Sequence, residues 1–240
     1  MDENEDRYCV CMFEDPETPA VLDVPPDEAV VLSTPRAAVL KSTRWQPGQV
    51  IRCRFLAGSA ALQQRVIKVA KEWEAISGLR FDFVAAGPAS IRIDFQPGKG
   101  SWSYLGTVCK SIPEPRLTMN YGWLTDASAE AELRRVVLHE FGHAIGLIHE
   151  HQNPHGGIKW NKDAVIADLS GPPNKWSLDK IEQNMFKFYP EGGLVASAVD
   201  AKSIMMYPIP KAWTLDGFST GMNNAITATD KLVVAKAYGL

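Results

Sequence analysis

All five histidines of this 240-residue chain fall between residues 139 and 155. Three of them sit in the run His139-Glu140-Phe141-Gly142-His143-Ala144-Ile145-Gly146-Leu147-Ile148-His149. Residues four apart on an α-helix project from one face, so His139 and His143 present two imidazoles side by side. Glu140 stands next to them, on the metal's side without needing to be a ligand. Gly146 permits the sharp backbone turn that brings His149 back to the same point. Three neutral imidazoles with one open position suit a catalytic zinc, not a closed structural one. From average residue usage, about one chain of this length in 100,000 carries these five residues at this spacing by chance.

Those side chains need a helix, a turn and a scaffold. Residues 50–56 alternate apolar and polar as a half-buried strand does. Over residues 60–76, Leu62, Val66, Val69, Ala70 and Trp73 recur at helical spacing, and Gly78 ends that helix. Residues 79–84, 91–95 and 116–121 read as strands. One strand, a helix and then several strands predict a mixed sheet backed by a helix. Ser128 is placed to cap the next helix, with Glu130 and Glu132 in its positive first turn and Gly146 as its stop. Beyond residue 150 the chain turns Pro-, Gly- and Asn-rich, with helical pieces expected at 162–169 and 177–186. A final helix is expected over 229–238, beginning at Thr229 or Asp230.

The pattern HExxHxxGxxH is the signature of the metzincin metalloendopeptidases. Ser203-Ile204-Met205-Met206-Tyr207 resembles that clan's methionine-containing turn, with Met205 as the methionine. Glu150 directly follows the third histidine, and Tyr207 stands two residues after Met205. The chain therefore resembles astacins more than matrixins, although Met206 stands where that family has a histidine. The resemblance implies an α+β, metzincin-like zincin: a twisted mixed sheet with a backing helix and an active-site helix, then an irregular C-terminal subdomain ending in a helix. It places the catalytic domain at 37–240, with subdomains 37–146 and 147–240, after an N-terminal extension over 1–36. It also implies one catalytic zinc ion bound by His139, His143 and His149, with Tyr207 as a fifth ligand that swings to stabilise the oxyanion. Glu140 would be general base, then proton carrier to the leaving amine. Met205 would pack beneath the metal without ligating it.

The same resemblance puts the substrate on a sheet edge at residues 116–121, with Thr118, Met119 and Asn120 pairing with an extended peptide. It places Lys211 in the primed-side pocket, where a cation would favour an acidic side chain. Ala37-Ala38-Val39-Leu40 is similar to the start of a mature astacin domain. Cleavage near Arg36 and Ala37 would then release an amino terminus that pairs with Glu150.

The extension has its own chemistry. Residues 1–30 carry ten acidic residues and one basic residue, a net of −9, against +6 for residues 31–240. Five of the sixteen prolines lie in the first 36 residues, so the stretch reads as extended and poorly self-structured: a disordered tail or a pro-segment laid across a more basic body. A latent form needs a group at the open metal position. Cys9 or Cys11 could supply a thiolate, preferred here to Asp15, and no blocking group at all is the remaining alternative.

The whole chain is ordinary in composition, 45% hydrophobic and 22% charged, with a net charge of −3. That leaves no global field for nucleic acid, and no apolar run approaches a membrane span. The acidic start does not resemble a secretion leader, which leaves a cytoplasmic location, non-classical export and a leader already lost all open. The expected protein is a monomeric zinc endopeptidase, made as a zymogen and acting on peptides or proteins. A zinc hydrolase of non-peptide amides and a non-catalytic zinc-containing binding module are the alternatives.

Overall fold

The computed structural model describes residues 8–12, 38–172, 174–187, 194–195 and 199–240. Its strands are β1 (Cys9–Met12), β2 (Val39–Leu40), β3 (Val50–Phe55), β4 (Arg80–Phe83), β5 (Ile91–Asp94), β6 (Ser101–Tyr104), β7 (Met119–Asn120) and β8 (Leu194–Val195). Its α-helices are α1 (Ala60–Ala70), α2 (Glu74–Ser77), α3 (Glu130–Ala144), α4 (Lys162–Ser170), α5 (Leu178–Ile181) and α6 (Ala228–Tyr238). Six of these strands form one mixed sheet in the order β1-β6-β7-β5-β3-β4. Only the β6–β7 pair is antiparallel; the rest are parallel. Strands β2 and β8 pair separately and antiparallel. The α+β arrangement expected from the sequence is thus the one found. No helix among the described residues is long and apolar enough to cross a membrane.

Helix α1 begins where Ser59 Oγ accepts from the amide of Leu62 at 3.0 Å. It buries Leu62, Val66, Val69 and Ala70. A short 3-10 turn links it to α2, which stops at Gly78 with φ +68°. Helix α3 is buried along nearly its whole length. A buried helix end must find partners for its last carbonyls. Trp45 Nε1 donates to Ala144 O at 2.7 Å and the Tyr238 hydroxyl to Ile145 O at 2.8 Å. Higher up, Trp73 Nε1 donates to Leu138 O at 3.0 Å. These aromatic side chains anchor the helix to the body while burying their own rings, each worth about 2–3 kcal/mol.

Three expectations need correction. Of residues 116–121 only β7 is a strand, and it lies inside the sheet between β6 and β5. Thr118, Met119 and Asn120 are buried. The Thr118 hydroxyl donates to Ser90 O at 3.0 Å and accepts from Arg92 N at 2.8 Å. Asn120 Nδ2 donates to Gly100 O at 2.6 Å. None of the three is therefore placed to pair with a substrate. Second, Ser128 does not cap α3: its Oγ accepts from Thr125 N at 2.9 Å and closes the preceding turn, leaving Ala129 at the cap. Third, α6 is capped by Thr227, in a capping box with Asp230. Of the two readings of the acidic extension, the described part agrees with a segment laid across the body: β1 pairs in parallel with β6, Cys9 opposite Ser101. A segment too polar to build its own core is still ordered when a sheet offers it an unpaired edge.

Candidate metal centre

Helix α3 carries His139 and His143 on one face, and the turn after it returns His149. That turn is built by Gly146 at φ +94°, whose amide donates to His143 O at 2.8 Å. Leu147 N then donates to Gly142 O at 3.0 Å, and Glu150 N to Met205 O at 2.9 Å. The His139 and His143 ring centroids are 4.7 Å apart, His143 and His149 4.5 Å, and His139 and His149 5.3 Å. One nitrogen from each ring lies within 4.8 Å of the other two.

The hydrogen bonds say which nitrogen. Nδ1 of His139 meets Ile204 O at 2.8 Å, Nδ1 of His143 meets Leu147 O at 2.8 Å, and Nδ1 of His149 meets Gln152 Oε1 at 3.2 Å. A carbonyl or amide oxygen only accepts, so each Nδ1 carries the proton and each Nε2 keeps its lone pair. Nε2 of His143 and of His149 are 3.1 Å apart, and His139 Nε2 has no hydrogen-bond partner although it is buried. Burial lowers the basicity of all three rings, with a neighbouring imidazole adding to the effect for His139 and His149; for His143 the result is about 4. Three buried, neutral, convergent lone pairs fit a divalent zinc ion.

Glu140 lies beside the triad, fully buried, and neither of its oxygens meets a nitrogen or oxygen donor among the described residues. Burial holds its carboxyl well above the usual range, against the Cys9 thiol and the Arg135 charge. Cys9 responds in kind: burial and then the Glu140 charge push its thiol up. Arg135 is itself fixed by Glu132, through Nε at 2.9 Å and Nη2 at 2.7 Å. The Tyr207 hydroxyl donates to the carbonyl of Cys9, and its ring lies 4.3 Å from that of His149. Residue 9 thus reaches Glu140 with its thiol and Tyr207 with its backbone.

Met205 is fully buried and packs against Gly142 of α3. A Cβ built on Gly142 would overlap Met205 Sδ and come within 3.2 Å of its methyl carbon, so the helix and the methionine turn pack through a bare backbone. The turn is held by Asp230. Its carboxylate accepts from Ser203 Oγ at 2.6 Å, Ile204 N at 3.1 Å and Thr227 N at 2.9 Å. Ile204 O in turn orients His139. Gly142, Gln152 and Asp230 escaped the sequence reading. The signals were present: a glycine inside a helix, an amide three residues after a ligand, and Thr-x-x-Asp before an apolar helix.

The other candidates are placed as follows. Glu150 is buried, with Oε1 accepting from Asp200 N at 3.0 Å and Oε2 without a partner among the described residues. Ala38 runs beside the turn, its carbonyl accepting from Ile148 N at 3.1 Å. Cys11 is buried in a separate cluster with Ala38, Leu40, Leu105, Ile148 and Leu194. Lys211 is exposed at the start of a 3-10 turn whose buried member is Trp213. The expectation that Lys211 lines a pocket is therefore not met where the structure shows a small cavity, between Tyr8, Cys9, Arg135, His139 and Tyr207. Asp15, Arg36 and Ala37 lie outside the described residues.

Comparison with known proteins completes the picture. The family model described as Astacin (Peptidase family M12A) matches residues 38–227. Zinc metalloproteinase nas-30 of Caenorhabditis elegans is 27% identical over 177 residues, 69% of this chain and 22% of that protein, so the chain spans about a fifth of that relative's length. A solved structure of myroilysin superposes with a TM-score of 0.82 at 43% identity, covering 85% of this chain and 98% of that one. High choriolytic enzyme 1, a hatching enzyme zinc-protease from the medaka fish Oryzias latipes, superposes at 0.56 with 15% identity, covering 88% of this chain and 99% of that one, which shows a shared fold.

Proposed function

We propose, from the premise that this chain belongs to the astacin family and is thereby a zinc-dependent peptidase, that it is an endopeptidase in which Glu140 is the general base and Tyr207 the oxyanion donor. One catalytic zinc ion belongs to the family's chemistry, and His139, His143 and His149 are the residues that would hold it. Such an ion polarises the scissile carbonyl and makes water acidic enough to lose a proton near neutral pH. Glu140 takes that proton and delivers it to the leaving amine, the work of a carboxylate close to the reacting atoms. Tyr207 carries a hydroxyl that already donates to a peptide carbonyl, that of Cys9, and would do the same for the carbonyl under attack.

The observation that carries this reading is an extended strand lying over the triad. β1 is hydrogen-bonded to β6, with one residue touching both Glu140 and Tyr207. A substrate would add to the same edge, so the peptide-pairing strand is β6 and not 116–121. It follows that β1 blocks the site. Cys9, whose thiol is beside Glu140, is the group that would close the open metal position, while Cys11 is turned into another cluster. Removal of the segment near Arg36 and Ala37 would free β1. The Glu150 oxygen that has no partner among the described residues, close in sequence to the Ile148 that binds Ala38, would receive the new amino terminus.

The test is Glu140→Gln. Cleavage of a peptide library should fall about 10²–10⁴-fold while zinc content and fold are retained. Cleavage at the wild-type rate would refute the assignment.

A further inference from the structure

The residue before Cys9 has no part in that reading, yet it sits in a built recess. The Tyr8 ring stacks on Trp213 at 5.7 Å and 23°, meets Trp176 edge-on at 6.1 Å and 73°, and lies 5.3 Å from Tyr207. Its hydroxyl reaches Pro208 O at 3.4 Å. The walls are fixed independently of Tyr8. Trp213 Nε1 donates to Asp168 Oδ2 at 2.8 Å, and the Lys180 ammonium covers Trp176 at 4.3 Å. None of the three rings that hold Tyr8 carries a charge. Alternation here sends Tyr8 and Val10 towards the cluster of Trp176, Ile209 and Trp213, whereas Cys9 belongs to the main core.

We propose that the box formed by Trp176, Trp213 and Tyr207 is a substrate subsite that selects an aromatic side chain within two residues of the bond to be cut. Tyr8 fills it in the segment-bound form. The inference rests on the peptidase reading and deepens it. Residue 9 lies at the reaction centre, its carbonyl accepting from the Tyr207 hydroxyl and its side chain lining a small cavity with His139, so its neighbour marks the adjoining side-chain position. An extended substrate on the β6 edge is held by the same kind of ladder and directs alternate side chains to the same depth. An aromatic ring entering the box exchanges water for three ring faces, whereas a carboxylate entering it would lose water while the nearby cations are engaged elsewhere, Lys180 over Trp176 and Arg135 with Glu132. The acidic preference expected from Lys211 is therefore replaced by an aromatic one.

The experiment has two arms. In the first, the segment-free enzyme digests peptide pools that differ at single positions, and the cleaved bonds are read by mass spectrometry. Phe, Tyr or Trp should be favoured about 30-fold over Ala, and more over Asp, at one position within two residues of the cut. Cleavage with no aromatic preference there, or with an acidic one, overturns the proposal. In the second arm the segment-free enzyme carrying Glu140→Gln is titrated with acetylated Ala-Ala-Phe-Ala-Ala and Ala-Ala-Asp-Ala-Ala, read by tryptophan fluorescence. The Phe peptide should bind at least about tenfold more tightly, and equal binding overturns the proposal. The unprocessed full chain, with β1 on the edge and Tyr8 in the box, should take up neither peptide; free entry of the Phe peptide there also counts against it. Should no peptide be cut, the peptidase reading fails, and the fluorescence arm alone decides the subsite.

Discussion

Asp230 joins the C-terminal helix to the turn beneath the triad, and its removal should separate two kinds of contribution. The carboxylate is fully buried and has no cationic partner in its hydrogen bonds. Burial pushes its carboxyl above the ordinary range even against donors from Ser203, Thr227 and Ile204. The charge itself is thus a cost to the fold, and the value of the residue lies in position. Asp230→Ala leaves two backbone amides and one hydroxyl without their acceptor. At about 1–3 kcal/mol for each buried group left unpaired, with water entering the space to recover part, the loss should be about 3–6 kcal/mol. That corresponds to a melting temperature lower by about 6–24 °C for a chain of this size. Asp230→Asn keeps one oxygen for the amides of Ile204 and Thr227. Its new N–H₂ faces Ser203 Oγ, which accepts from Met205 N at 3.0 Å and has a second lone pair to offer. The Asn variant should lose about 0.5–1.5 kcal/mol. Because Ile204 O orients His139, zinc affinity should fall in Asp230→Ala by about tenfold and hold in Asp230→Asn. Urea unfolding and competition with a fluorescent chelator measure the two quantities. A loss below about 1 kcal/mol in the Ala variant, or equal damage from both, would refute the reasoning.

Two other outcomes are expected. Gly142→Ala should gain up to about 1 kcal/mol in helix propensity but lose about 1–3 kcal/mol by overpacking against Met205, with weakened zinc binding as the turn shifts; a variant that is more stable and binds zinc normally would contradict the packing described. In the unprocessed full chain, Cys9→Ser should raise peptide cleavage at least about tenfold while Cys11→Ser leaves it low, because thiolate is the stronger zinc ligand and only Cys9 faces Glu140; equal activity in the two variants on a fluorogenic peptide would remove Cys9 from latency.

The histidine triad was legible because its geometry is local. Helical repeat places His139 and His143, and one glycine with a positive φ returns His149, all within eleven residues. The same is true of Gly78 ending the first helical segment and of the pieces at 162–169 and 177–186, where Asn161 and Ser177 accept from amides three residues on. Sheet order is not local. Residues 116–121 read as a short strand, yet only pairing decides that β7 is enclosed while β6, over residues 101–104, is left for β1. That pairing joins residues more than ninety apart, Cys9 to Ser101. Neither periodicity nor composition encodes which edge a distant segment will choose. The tertiary structure alone decided that Cys9 and not Cys11 faces Glu140, that Trp213 and not Lys211 turns inward, and that Asp230 holds the turn orienting His139. Each of these depends on two chain segments meeting face to face. The amino-acid order by itself determined which imidazoles converge; the packing of the two halves determined what closes over them.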